Sequence, residues 1–264
     1  MEIHKTSWPM RILVFVLFLY LLAPVILVFP ISFSGDQVLR FPPTSWSTRW
    51  YTALFENSVM LKAFRTSLIL AVVVTALSII IAVPAAWTMT RLKFRGKDLL
   101  FNLFTAPLLL PTIVLGLAIL IVFATFGLLA TMQGLVFAHL VVTLPYALRV
   151  LAVSLGTQDR ACEEAARTLG AKPLTVFFRV TLPMLTPGIV AAAALCFLVS
   201  FDEVVITLFL TGPRISTLPV ELYNYVFNQA DPLVAAASVL LILLTLGVIM
   251  TVERAMGLGK AFVK

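Results

Sequence analysis

The chain has 264 residues, 61% hydrophobic and 12% charged, with a formal net charge of +7. A soluble globular fold is excluded, because a protein of this size cannot hide so much apolar side chain and the bilayer must act as its solvent. Two cysteines and two histidines, scattered at Cys162, Cys196, His4 and His139, exclude a disulfide framework and a metal-ligand cluster.

Residues 1–11 are short and polar, with Lys5 and Arg11 ahead of the first apolar run. A first span is predicted over about 12–33, long enough to cross roughly 30 Å of hydrocarbon. Ser32-Phe33-Ser34 loosely resembles a signal-peptidase site. The apolar run before it is longer than the roughly 7–15 residues of a signal peptide's core, so an uncleaved anchor is expected. In the connection 34–65, Trp46, Trp50 and Leu54 fall at helical spacing, which predicts an elbow lying flat at the headgroups with both tryptophans on one face.

A second span is predicted over about 66–90, with Pro84 kinking it. Arg91, Lys93, Arg95 and Lys97 follow, opposed only by Asp98. The charge-free run from Leu99 to Leu148 is too long for one helix. Gly127 and Gln133-Gly134 offer the turn, giving spans over about 100–125 and 133–155. Pro107 and Pro111 break backbone hydrogen bonds inside the third span. They read either as a kink beside a cavity or as a bend in a packed helix.

Residues 157–186 form the longest stretch dense in charge. Asp159 can cap a short helix in which Glu163 and Glu164 lie at the positive end of the dipole. Ala165, Ala166, Arg167 and Leu169 favour helix, and Gly170 supplies a left-handed stop with Pro173 shortly after it. A second amphipathic run, Leu174 to Val180, leads to Leu182-Pro183. The predicted object is a helix–turn–helix elbow projecting from a membrane protein. A fifth span follows over about 188–210, then a loop 214–231 with an amphipathic piece from Val220 to Phe227, and a sixth span over about 233–252.

With the N-terminus inside, Lys5, Arg11, Arg91, Lys93, Arg95, Lys97, Arg149, Arg160, Arg167, Lys172, Arg179, Arg254, Lys260 and Lys264 are cytoplasmic. Arg40, Arg49, Lys62, Arg65 and Arg214 are external. That division is 14 against 5 of the 19 Lys and Arg, as the positive-inside rule requires. The basic excess is a topology signal, so no nucleic-acid partner is expected.

Glu164-Ala165-Ala166, three residues, Gly170, nine residues, Val180, one residue and Leu182-Pro183 together resemble the "EAA" signature of ABC-importer permeases. That signature usually has Ile where this chain has Val180, a difference of one methylene. The resemblance implies a cytoplasmic loop that docks on an ATPase, with Glu163, Glu164, Ala165, Ala166, Arg167, Gly170, Leu182 and Pro183 as its residues. Arg49-Trp50-Tyr51 also resembles a sequence found at this point in the same family.

Nothing in the chain forms a catalytic constellation, and a phosphate-binding glycine loop with its lysine is missing from the sequence. His139 reads as a helix–helix hydrogen-bonding group. Asp202 and Glu203 are the exception within the membrane. Counted from Gly188 at about 1.5 Å per residue, Asp202 lies roughly 21 Å along the fifth span. Ionisable groups at such depth face a bundle interior or a water-filled path. Adjacent helical positions point about 100° apart, so the two carboxylates cannot share one direction. A pathway role and a structural pair at an interface both remain open. Ser200-Phe201-Asp202-Glu203, Thr211-Gly212-Pro213 and Thr217-Leu218-Pro219 resemble the spermidine/putrescine branch of these permeases, and a carboxylate in the pathway would suit a cationic solute.

The expectation is an all-α integral membrane protein, a single permease domain over 1–264 with six transmembrane helices and a cytoplasmic coupling elbow between helices 4 and 5. The resemblance implies a bacterial inner-membrane, multi-pass location with both termini cytoplasmic. It implies a second permease (a heterodimer), an ATPase dimer that holds ATP and Mg, and a substrate-binding protein. No cofactor is expected on this chain. Aminophosphonates, opines or other small solutes are alternative cargoes, and an ion-gradient-driven carrier or channel is the alternative class.

Overall fold

Proline and glycine mark several of the points where the helices begin and break. The computed structural model describes residues 7–229 and 231–256. Lys5, Lys260 and Lys264 of the charge division, and His4, lie outside the described residues. Twelve helices are named in chain order: α1 (Trp8–Ser32), α2 (Arg49–Glu56), α3 (Ser58–Arg91), α4 (Lys97–Thr105), α5 (Thr112–Thr125), α6 (Met132–Thr157), α7 (Ala161–Thr168), α8 (Pro173–Val176), α9 (Leu182–Phe201), α10 (Val205–Leu210), α11 (Leu218–Asn228) and α12 (Leu233–Met256). Among the described residues there is no β-strand beyond two isolated bridges.

Five helical stretches are long and apolar enough to cross a membrane: Trp8–Ser32, Ser58–Arg91, Met132–Thr157, Pro173–Phe201 and Leu233–Arg254. A further bent pair, Lys97–Leu109 and Thr112–Thr125, meets the same test only when taken together and turns by 104° at its break, the form of a broken span or a re-entrant loop. The third span expected over about 100–125, with a kink or bend at its two prolines, is instead two separate helical pieces. The cause is the proline pair: Leu110, before Pro111, is driven to extended backbone (φ −89°, ψ 140°), as a residue preceding proline prefers. A 3₁₀ turn over Ala106–Leu109 carries Pro107 up to that point. By contrast, α3 runs on as helix through Pro84.

The described residues divide into two compact units, 7–61 with 224–229 and 231–244, and 62–223 with 245–256. In the first, the loop after α1 is organised by Asp36. Its carboxylate accepts from the Thr44 amide (2.9 Å), the Thr44 hydroxyl and Ser34 Oγ (3.1 Å). Those bonds, Thr44's foremost, hold the Asp36 carboxyl below the ordinary carboxylate range. The Asp36 carbonyl accepts from Arg49 Nη2 and Trp50 Nε1, which ties the loop to the first turn of α2, and the Arg49 amide donates to Ser47 Oγ at 3.1 Å where the helix starts. Trp46 stays outside it, bridged to Ser34 and exposed. The expected shared helical face of Trp46 and Trp50 is thus corrected: only Trp50 and Leu54 lie on α2.

The second unit holds two apolar cores. One joins Ala82, Ala86 and Met89 of α3 to Leu148, Leu151 and Leu155 of α6 and Leu185, Ala192 and Cys196 of α9. The other joins Leu70 and Val74 of α3, Ile119 of α5, Leu135, Ala138 and Val142 of α6, and Ile206 and Leu210 of α10. Helices α6 and α9 approach closely where Gly188 faces Ser154; a Cβ at Gly188 would sit 2.6 Å from the Ser154 Cβ. The turn between α5 and α6 falls at Gly127 (φ +64°), while Gly134 lies inside α6.

Candidate functional site

The elbow forms as its residue types dictate. Asp159 Oδ1 accepts from the Ala161 amide at 2.9 Å and so satisfies one of the orphan donors at the start of α7, although Arg160 is the cap residue by backbone position. At the other end Gly170 adopts φ +85°. Its amide donates to the Arg167 carbonyl at 2.9 Å, and the Ala171 amide donates to the Ala166 carbonyl at 3.0 Å. That double closure is a Schellman stop, which needs the left-handed conformation glycine allows. No atom lies within 4 Å of a Cβ built on Gly170, so its requirement is conformational and not steric.

After the turn the chain does not form a separate second helix. Pro173–Val176 passes through one π turn, Phe177–Thr181, directly into α9. Pro183 has no N–H to offer the carbonyl four residues back, and a widened turn accommodates that loss. The elbow is therefore a short helix, a left-handed turn and the foot of a long helix.

The eight elbow residues singled out from sequence divide into two groups. Glu164, Ala165, Arg167 and Gly170 are exposed, with Ala166 half-buried. Leu169 (88% exposed) and Leu174 (71%) extend that face with apolar side chains which sequence reasoning did not assign to it. Glu163 turns inward. It is 5% exposed, its Oε1 accepts from Arg91 Nε at 3.1 Å, and Thr181 Oγ1 donates to the same oxygen at 3.1 Å. Leu182 packs against the core of α3, α6 and α9, and Pro183 is exposed at the start of α9. Two further bonds tie the elbow's base: Arg160 Nη2 donates to the Thr90 carbonyl (3.2 Å), and Gln158 Nε2 donates to the Met184 carbonyl (2.9 Å).

Asp202 and Glu203 are brought to a different setting from the one expected. The span predicted over 188–210 ends at Phe201, with Asp202 as the C-cap of α9, and resumes as α10 at Val205. Glu203 Oε1 accepts from the Ile206 amide at 2.9 Å, so this carboxylate satisfies the orphan donor of the new helix. Mid-helix geometry is thereby corrected: the two carboxylates occupy a break, not consecutive positions of one helix.

A polar seam braces that break. His139 of α6 is almost wholly buried, with Nδ1 paired to Ser200 Oγ (2.9 Å) and Nε2 to Thr207 Oγ1 (3.0 Å). One partner stands before the interruption and one after it. A neutral imidazole offers one donor and one acceptor, and the two hydroxyls supply the complements. Thr143 Oγ1 donates to the His139 carbonyl at 2.9 Å and pairs with Ser78 Oγ at 2.8 Å, extending the seam to α3. Ser200, Thr207, Thr143 and Ser78 carry no sequence signal stronger than a hydroxyl in an apolar helix.

Comparison with known proteins adds a family match. Residues 78–253 match the family described as binding-protein-dependent transport system inner membrane component. The chain is similar to the putrescine transport system permease protein PotI of Escherichia coli (strain K12), 34% identical over 89% of this chain and 86% of that one. It is similar to the spermidine/putrescine transport system permease protein PotC of the same organism, 30% identical over 87% of each. Among solved structures, a bacterial ABC transporter involved in the import of the acidic polysaccharide alginate shares the fold, with a TM-score of 0.69 at 17% identity over 92% of this chain and 94% of that one. The MetNI methionine ABC transporter does so with a TM-score of 0.63 at 19% identity, over 75% of this chain and 94% of that one.

Proposed function

We infer that this chain, which belongs to the family of binding-protein-dependent transport inner membrane components, forms part of the path of a small cationic solute of polyamine type. It is the permease component of an ABC importer, a multi-pass inner-membrane protein that is not itself catalytic. Membership sets aside an ion-gradient-driven carrier. Such a component works with an ATPase, a binding protein and a paired permease.

In the proposed assembly the elbow of α7, Gly170 and Leu174 docks on the ATPase, two copies of which bind ATP and Mg, while a different permease chain completes the path. Both termini and the elbow lie in the cytoplasm. The observation that carries the reading is the elbow's outer face, small at Ala165, charged at Glu164 and Arg167, apolar at Leu169 and Leu174, and ended by a glycine with open space around it. Small residues permit close approach, and the Gly170 stop sets the angle of the protrusion. Glu163 and Leu182 sit on its inner side and hold it in place, and Pro183 is exposed where the elbow joins α9. ATP-driven closure would displace the elbow and re-tilt the spans.

The polyamine assignment is supported by the relatives at 34% and 30% identity and by Asp202 and Glu203 at the α9–α10 break, where a carboxylate can meet a cation. In proteoliposomes holding the complete transporter, Gly170→Asp is expected to leave ATP hydrolysis running while solute uptake falls at least tenfold. Uptake at the parent rate would refute the docking role. Cys162 on α7 is exposed and Cys196 is buried, which supplies a native topology probe. An impermeant maleimide is expected to label Cys162 in inside-out vesicles and not in intact cells; labelling in intact cells would reverse the orientation. Titration of the partner binding protein with putrescine, spermidine and an opine tests the cargo class.

A further inference from the structure

We propose that the buried Arg91–Glu163 pair is the joint through which the elbow moves the membrane helices, with Glu163 a positioning residue for coupling and not a docking residue. The proposal rests on the elbow being the ATPase contact. Within α7, Glu163 is the only buried residue. A short helix attached by packing would bury an apolar side chain; this one buries a carboxylate. Its hydrogen-bonded ties to α3 run through Glu163 and through Arg160 at its cap.

Both attachments lead to one place. Arg91 is the last residue of α3, and its Nε donates to Glu163 Oε1, with side chains 3% and 6% exposed. Arg160 Nη2 donates to the carbonyl of Thr90, one residue earlier. Thr181, the last residue of the π turn, donates to the same Glu163 oxygen, so a single atom gathers the end of α3, α7 and the foot of α9. This is the one ion pair among the described residues.

The chemistry suits a joint. Apolar contacts slide at little cost, whereas charge-assisted hydrogen bonds are short and directional, and a buried pair fixes register. Displacement of α7 must pull α3 with it or strand a charge in a site that excludes water. Arg91 Nε and Thr181 Oγ1 each donate to Glu163 Oε1 at 3.1 Å, so the carboxylate is held from two sides.

The test uses the complete transporter in proteoliposomes, with two readings for each variant: ATPase retained on purification, and solute imported per ATP hydrolysed. Glu163→Ala and Arg91→Met are expected to keep the ATPase bound while solute per ATP falls about tenfold. The charge exchange Arg91→Glu/Glu163→Arg is expected to recover it to within about threefold of the parent. Should the single variants fail to assemble, Glu163→Gln decides. It keeps the size and the acceptor oxygen but removes the charge, and solute per ATP is expected to fall about threefold with the ATPase still bound.

Solute per ATP at the parent value in Glu163→Gln or Glu163→Ala overturns the joint. So does release of the ATPase from Glu163→Gln, which would make Glu163 a docking residue. Gly170→Asp, run alongside, separates the two ideas. Normal coupling in Gly170→Asp removes the docking reading itself, whereas uncoupling there with normal Glu163 variants removes the joint alone.

Discussion

The elbow joint and the membrane seam solve the same problem with different chemistry. Each connects three helices through buried polar groups: α3, α7 and the foot of α9 at Arg91, Glu163 and Thr181; α6, α9 and α10 at His139, Ser200 and Thr207. At the joint two of the three groups carry full charges, and α7 buries no residue other than Glu163. At the seam they are hydroxyls and a ring set among apolar cores. A charged connection holds or fails as a whole, because losing one partner leaves the other's desolvation uncompensated. Neutral connections fail by degrees, since an unpaired hydroxyl costs less to bury than an unpaired charge. The first suits a part that transmits motion without slack. The second suits a helix break that must hold shape and still yield.

The sharpest way to break this contrast is to treat stability apart from transport. Glu163→Ala strands the Arg91 guanidinium and is expected to cost about 3–5 kcal/mol, read as a lowered midpoint of unfolding in detergent. Replacing both partners, Arg91→Met with Glu163→Leu, removes the buried charges together and is expected to return stability to within about 1 kcal/mol of the parent. Import coupled to ATP should stay low in that double variant, because packing restores burial but not register. A double variant with full stability and full coupling would reduce the pair to ordinary packing.

At the seam, His139→Ala removes a buried ring and leaves the Ser200 and Thr207 hydroxyls without their partner. The expected cost is about 2–3 kcal/mol, from the cavity and the lost bonds together. His139→Asn keeps one of the two bonds and should recover part of it. Uptake is the second measurement. Since His139 grips both sides of the break that carries Asp202 and Glu203, the alanine variant should raise the concentration for half-maximal uptake more than it lowers the maximal rate. A fall in maximal rate alone would place the seam outside substrate handling.

How much of this could be read in the sequence follows from how local each cause is. The end of α7 was legible because Gly170 and Pro173 act on their own backbone. The 104° break at Pro107 and Pro111 was signalled by residue type, though its size was not. Nothing marked the inward turn of Glu163. Glu163 and Glu164 are identical neighbours, and only Arg91, 72 residues away, decides which one is buried. The break after Phe201 was missed for a related reason. Phe201-Asp202-Glu203-Val204 holds neither proline nor glycine, and the residues that brace it come from α6. The one local hint was Glu203 three residues before Ile206, the spacing of a carboxylate that caps a new helix. Trp46 misled because a four-residue spacing to Trp50 looks helical, whereas Trp46 is bridged to Ser34 and α2 starts only at Arg49.

The finest test of the contrast lies at the far end of the seam, where Ser78 meets Thr143. Thr143 already gives its proton to the His139 carbonyl, so Ser78 supplies the proton of their 2.8 Å contact. Ser78→Ala then removes a donor from an oxygen whose own bond survives, and no charge or unpaired donor is left behind. The expected loss is about 0.6 kcal/mol, the scale of interhelical hydrogen bonds among membrane helices. Thr143→Val removes both bonds and should cost somewhat more. The two substitutions combined should fall short of their sum by about that same 0.6 kcal/mol, since they share one contact. A coupling several times larger would mean that the neutral seam is as unforgiving as the charged joint, and that the two regions differ in composition only.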